Sequence, residues 1–161
     1  MAYDFSGPWS SESGYHAQLY PNTPNEPSGS TAVDYLIRRG FPTSKILLGV
    51  PVFGRSFLGA PGPGHTFTGT GGEEGTFEYK NLPREGADEK VDTKTVAAYG
   101  TGGDGGFVSY DTPETVRMKG AYCKQKRLGV CSFLLQPFLN STQPHVLTPN
   151  FIGTVLLDGN S

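Results

Sequence analysis

Residues 45–57 read Lys45-Ile46-Leu47-Leu48-Gly49-Val50-Pro51-Val52-Phe53-Gly54-Arg55-Ser56-Phe57, and this stretch decides the fold. From Lys45 to Gly54 the run is apolar nearly throughout, as a parallel strand covered on both faces requires. At Arg55 the pattern changes. Up to Ser109, short aromatic segments such as Phe67, Phe77-Glu78-Tyr79 and Phe107-Val108 alternate with glycine clusters, which predicts a small antiparallel insertion.

Upstream, Met1-Ala2-Tyr3-Asp4-Phe5 is an apolar and aromatic run stopped by Ser6-Gly7-Pro8, which predicts a buried strand ending in a loop. Residues 10–29 are rich in turn formers. Ser30-Thr31 then precede Ala32, Val33, Tyr35, Leu36 and Ile37, a capped amphipathic helix closed by Gly40. Downstream, Asp111-Thr112-Pro113-Glu114 is a helix start, with Val116, Met118, Lys119, Tyr122 and Cys123 at helical spacing. Leu128-Gly129 should begin another strand. Strands alternating with helices set the class as α/β, with a subdomain inserted.

Composition narrows the function classes. The 161 residues carry a formal net charge of -2 with acids and bases interspersed. That leaves no basic stripe for phosphates, so neither nucleic acid nor an anionic membrane surface is an expected partner. Glycine (23), proline (13) and aromatic residues (12%) indicate many turns and loops rather than a helical bundle. Cys123 and Cys131 are too few for a disulfide scaffold and lack zinc-ligand spacing, so both read as ordinary thiols. No apolar run approaches the ~20 residues that cross a bilayer, and no secretory signal opens the chain.

Four stretches, in order, resemble the family 18 glycoside hydrolases, the fungal-type chitinases. Met1-Ala2-Tyr3-Asp4-Phe5 with Gly7 and Trp9 looks like that family's sixth barrel strand and following loop. Lys45 through Phe57 resembles the seventh strand entering the family's insertion subdomain. Glu73-Glu74-Gly75-Thr76-Phe77-Glu78-Tyr79-Lys80 is similar to its E-G-x-W-x-Y-K segment, with Phe77 in place of the tryptophan. Val108-Ser109-Tyr110-Asp111-Thr112-Pro113 resembles the exit from the insertion into the seventh helix.

The resemblance runs to about residue 129 and implies an incomplete (β/α)8 TIM barrel, strands six to eight, with a small α+β insertion subdomain. Residues 1–54 would be partial barrel, 55–109 the insertion, 110–129 helix seven and the start of strand eight, and 130–161 a tail outside the family. A complete barrel takes about 250 residues. On this reading Met1 is an internal family methionine. The parent reaction implied is retaining hydrolysis of β-1,4-linked N-acetylglucosamine by an extracellular enzyme. Its D-x-x-D-x-D-x-E string supplies the general acid, and the substrate's own acetamido oxygen is the nucleophile. No such string occurs here, so catalysis by this chain alone is not expected. No cofactor or metal is implied.

At Gly129 the family continues G-G-x-x-x-W, a tryptophan absent here, since Trp9 is the sole tryptophan. Val130-Cys131 can be encoded GTATGT, a splice donor. Leu147-Thr148 can contain a branch sequence, and Ile152-Gly153 an intron end. The shifted frame beyond permits G-L-F-Y-W, which restores the family pattern after Gly129. Residues 130–161 are therefore expected to be translated intron and out-of-frame exon, and the sequon at Asn140 an accident.

Tyr3 and Asp4 match the family's M-x-Y-D, whose side chains hydrogen-bond the sugar's N-acetyl group; by themselves they would read as structural residues at a strand end. Trp9 stands where the family stacks a ring on a sugar face, with a core tryptophan as the plainer alternative. Arg55 matches an arginine that donates to substrate through its fixed fork of donors. Phe53 replaces a tyrosine, so a hydroxyl contact is lost while ring packing remains. Phe77 and Tyr79 read either as cleft wall or as subdomain core. Asp111 suits a cap or turn. His16, His65 and His145 share no spacing for a metal or a triad, and Gly69, Gly71 and Gly72 are not a phosphate loop.

The expected partner is chitin or a chitooligosaccharide. Two rivals to a chitinase fragment stay open: a chitin-oligosaccharide-binding module without chemistry, which predicts saturable binding through Trp9, Tyr3, Asp4 and Arg55, and an inert product, which predicts none. A half barrel would expose strand edges and helix faces.

Overall fold

The computed structural model describes residues 1–134, with side chains through residue 129. The expectations for the remaining tail, including the sequon at Asn140, His145 and the Cys131 thiol, lie outside the described residues.

The apolar run at residues 45–54 divides into two strands, β1 (Leu47–Pro51) and β2 (Phe53–Phe57), which enter different sheets. Pro51 has no N–H to continue a ladder, and the carbonyl of Val52 is taken by the Tyr79 N–H at 3.1 Å. After β2 the chain builds β3 (Thr76–Glu78), β4 (Ala87–Asp92), β5 (Ala97–Gly102) and β6 (Gly106–Tyr110). These form an antiparallel sheet in the order β3-β2-β6-β5-β4. A bulge sets Phe57 opposite both Gly106 and Phe107. Gly106 sits there at φ 67°, and a Cβ would lie 2.6 Å from the Phe57 carbonyl oxygen, so only glycine fits.

The strand expected at Leu128-Gly129 forms as β7 (Val130–Leu134), parallel to β1 with Leu47 opposite Val130 and Pro51 opposite Leu134. It lies within residues assigned by sequence to the non-family tail. The strand expected at Met1–Phe5 does not form. That segment gives β1 a single bond, Ala2 N–H to the Gly49 carbonyl at 3.3 Å, and Asp4 leaves extended geometry at φ 61°.

Helix α1 (Gly29–Arg38) starts two residues earlier than its cap signal. Ser28 is the N-cap, in a reciprocal capping box with Thr31, and Gly40 at φ 84° ends the helix. Helix α2 (Pro113–Gln125) is capped by Thr112 with Thr115. Asp111 is thus not the cap. Its Oδ1 accepts from the Thr115 hydroxyl at 2.8 Å and its Oδ2 from Lys119 Nζ at 2.6 Å, both acid and ammonium being almost wholly buried.

Ala2, Leu19, Val33, Ile46, Leu48, Val96, Tyr122 and Cys123 pack as one core where the helices meet β1. Tyr15, Phe57, Ala60, Ala97 and Phe107 form a second beneath the antiparallel sheet. Met1, Tyr35, Phe41 and Leu47 remain exposed. Lys119 also donates to the Ala17 carbonyl at 2.5 Å, across 102 residues of chain, and so fastens the long first loop to α2.

Removing one partner from a buried ion pair strands the other charge away from water, at a cost of about 3–5 kcal/mol. Lys119→Met should therefore lower the urea midpoint sharply. Adding Asp111→Asn should restore much of the loss, because the stranded carboxylate charge disappears with its partner. A Lys119→Met chain with the parent's midpoint would show that water reaches the pair.

Candidate functional site

β2 carries Arg55 in its middle, 8% exposed, and the first segment brings Asp4 and Trp9 to it. Arg55 Nε donates to Asp4 Oδ1 at 2.8 Å and Nη1 to the Thr76 hydroxyl on β3 at 2.6 Å. The guanidinium faces the Trp9 ring at 5.1 Å and the Phe53 ring at 5.2 Å. Tyr3 meets Phe53 edge to face at 5.8 Å. Tyr3, Asp4, Trp9, Phe53 and Arg55, singled out in the sequence, are thus brought into one cluster.

The loop reaches this place for local reasons. The Trp9 indole folds back over Gly7, where a Cβ would come within 2.4 Å of the ring. Pro8 lies against Gly75 in the turn before β3, where a Cβ would be 2.5 Å away. Farther along, Ser13 N–H donates to the His65 carbonyl at 2.8 Å and its hydroxyl to the Gly62 carbonyl at 2.6 Å. The loop is therefore pinned to the segment that follows β2.

Within the cluster, exposure is graded. Trp9 is 60% exposed, Asp4 about a third, and Phe53 only 4%. Phe53 is a floor beneath the others, and Trp9 is the most exposed of the three. Phe77 stands apart, under the Arg84 guanidinium at 4.4 Å, while Arg84 pairs with Asp104. A cavity of about 410 Å³ opens beside the same loop, lined by Phe5, Ser10, Tyr15, Gln18 and Glu26, and none of the five cluster residues lines it.

Burial raises the Asp4 carboxyl, but the contacts with His16 and with the Arg55 guanidinium outweigh it and hold it at about 2. Burial, with the Asp4 charge beside it, pushes the Tyr3 phenol up. The site thus presents a committed carboxylate, a neutral phenol, a fixed guanidinium and an exposed indole. Such a set can hydrogen-bond an amide or hydroxyl and stack on an apolar sugar face. Among the described residues no cluster has the makings of a metal site, and no helix is long and apolar enough to cross a membrane.

Sequence reasoning missed two members, His16 and Thr76. His16 is fully buried with its ring 5.2 Å from Phe53. Its one local signal was the run Tyr15 to Leu19, free of turn formers inside a turn-rich loop.

Residues 1–133 match the family described as Glycosyl hydrolases family 18, and the chain belongs to that family. Endochitinase 1 of Metarhizium robertsii is 40% identical over 83% of the chain and 33% of its own length. Sporulation-specific chitinase 2 of Saccharomyces cerevisiae is 34% identical over 80% of the chain and 29% of its own. Among solved structures, the Cycas revoluta GH18 chitinase in complex with (GlcNAc)3 superposes with a TM-score of 0.73 at 36% identity. That match covers 83% of this chain and 40% of that one. The chain spans about a third of the length of the curated relatives it matches.

Ionisation of Asp4 makes the stability of the fold depend on pH. The folded carboxyl lies below its ordinary 3.8, so ionised Asp4 stabilises the fold. That contribution is whole above about pH 5 and is lost as pH falls through about 2. With Asp4 a third exposed, screening leaves it at about 1 kcal/mol. Asp4→Asn should lower the melting temperature at pH 6 and flatten its fall between pH 4 and 2; parallel curves for the two chains would contradict the pairing.

Proposed function

We propose that this chain is the acetamido-sugar-binding part of a chitinase, a fragment of an incomplete (β/α)8 barrel, and that it does not hydrolyse chitin alone. β1 takes the place of the seventh barrel strand, α2 the seventh helix, and the antiparallel sheet the insertion subdomain. The partner is chitin or a chitooligosaccharide, and the parent protein acts outside the cell.

The observation that carries this reading is the contact of Arg55 with Asp4 and with the Trp9 ring. A guanidinium whose Nε is spent on a carboxylate keeps that acid ionised as an acceptor. The exposed indole beside it gives a sugar ring a face to lie on. A relative solved with (GlcNAc)3 superposes over most of the chain, which supports the ligand class. The absence of a D-x-x-D-x-D-x-E string supports the lack of hydrolysis, because general acid catalysis alone is worth about 10²- to 10⁴-fold.

Calorimetric titration with chitotetraose should show saturable binding. Trp9→Ala and Arg55→Lys should each weaken it about tenfold, the second because an ammonium keeps the charge but not the fork. Chromatography of the same mixtures should show no shortened sugar. Failure of the parent chain to bind would refute the binding role, and release of chitobiose would refute the lack of catalysis.

A further inference from the structure

His16 occupies the most protected position near the site and is the side chain that packing explains least. It is 0% exposed, and neither ring nitrogen has a hydrogen-bond partner. A phenylalanine or leucine would fill the same space without burying two unpaired polar atoms, which costs stability. The backbone nonetheless holds the residue from three sides. Its N–H donates to Ser109 Oγ on β6 at 3.1 Å, and its carbonyl accepts from the Phe5 N–H at 3.0 Å. The adjoining Ala17 carbonyl is tied to Lys119 of α2.

So held, the ring lies against Phe53, and Nδ1 stands 3.8 Å from Asp4 Oδ1, the oxygen that Arg55 reaches at 2.8 Å. At that separation the contact is electrostatic and falls short of a hydrogen bond. In a water-free pocket such a contact is poorly screened.

We propose that His16 is a positioning residue of the sugar site, holding the Asp4 carboxylate so that one oxygen stays with Arg55 and the other stays open to the bound sugar. This rests on the reading of the cluster as a sugar site. The groups acting on the imidazole are Asp4 from the first segment, Asp111 before α2, and Lys119 on α2, with Arg55 on β2 behind Asp4. Burial pushes the imidazole down, against the upward pull of Asp4 and Asp111. The ring therefore works as a neutral dipole, its main chain fixed by the three backbone ties and its plane packed against Phe53.

The test follows the Asp4 carboxyl carbon by NMR during an acid titration of the full chain, in the parent, His16→Phe and His16→Asn. His16→Phe keeps the ring against Phe53 but loses the nitrogens, so the Asp4 midpoint should rise by about one pH unit. His16→Asn, which restores an N–H donor, should bring it back. Chitotetraose affinity should fall about tenfold in His16→Phe and recover in His16→Asn. An Asp4 midpoint that does not move in His16→Phe overturns the proposal, whatever the affinity does. If His16→Phe does not fold, the parent decides: the His16 ring nitrogens should show an inflection at the Asp4 midpoint, and its absence overturns the proposal equally. A parent that binds no chitotetraose refutes the sugar reading alone, because the Asp4 midpoint is read without ligand.

Discussion

The guanidinium of Arg55 can serve one segment through its edge and another through its face, and the first loop depends on both. Its edge joins Asp4 of the first segment to Thr76 of β3. Its flat face receives Trp9 and rests on Phe53. A lysine at this position would supply a charge without direction, so neither the carboxylate nor the indole would be oriented. Because Arg55 is itself nearly buried, its charge has lost most of its hydration, and Asp4 offsets that loss only while ionised. The site is consequently assembled and ionised together.

That position is a product of the sheet. β2 is central enough to be buried along its whole length, with β3 on one edge and β6 on the other. The bulge at Phe57 lies two residues beyond Arg55 and is where register changes against β6. Before the bulge, Arg55 is opposite Ser109, the residue whose hydroxyl receives the His16 N–H. One register therefore aligns the arginine and the support of the loop that faces it. A one-residue slip would turn Arg55 to the other face of the sheet and dismantle both.

Much of this was legible in the sequence, for identifiable reasons. The α/β order followed from capping residues and from a run too apolar to be half exposed. Tyr3, Asp4, Trp9, Phe53 and Arg55 were singled out only because their stretches resemble a family, and the structure brings the five into one cluster. What escaped was held by contacts distant in sequence. His16 looked like one of three scattered histidines because its partners, Asp4, Phe53 and Ser109, belong to separate segments. Asp111 looked like a helix cap because local signals favour that role; its partner Lys119 sits eight residues on, where it read as one more position on the helix face. The division between β1 and β2 was hidden because hydropathy does not change there. Only the missing N–H of Pro51 and the claim of Tyr79 on the Val52 carbonyl mark the break.

His16, Lys119 and Asp111 share one energetic character: each costs stability by comparison with an apolar residue of the same shape. A buried lysine and aspartate are seldom better than two well-packed hydrophobic side chains, and a buried imidazole without partners is worse than a phenyl ring. They lie in a continuous path from α2 through the Ala17 carbonyl to His16 and Asp4. Apolar replacements would keep that loop compact but would let it slide, since hydrophobic contact has no direction. The bonds from Lys119 to the Ala17 carbonyl and from the His16 N–H to the Ser109 hydroxyl allow few arrangements of the Tyr15 to Leu19 run, and hence few orientations of Asp4. A loop of more than twenty residues that carries the Asp4 carboxylate is restricted at the expense of the last increment of stability, and the polar path is where the fold supplies that restriction.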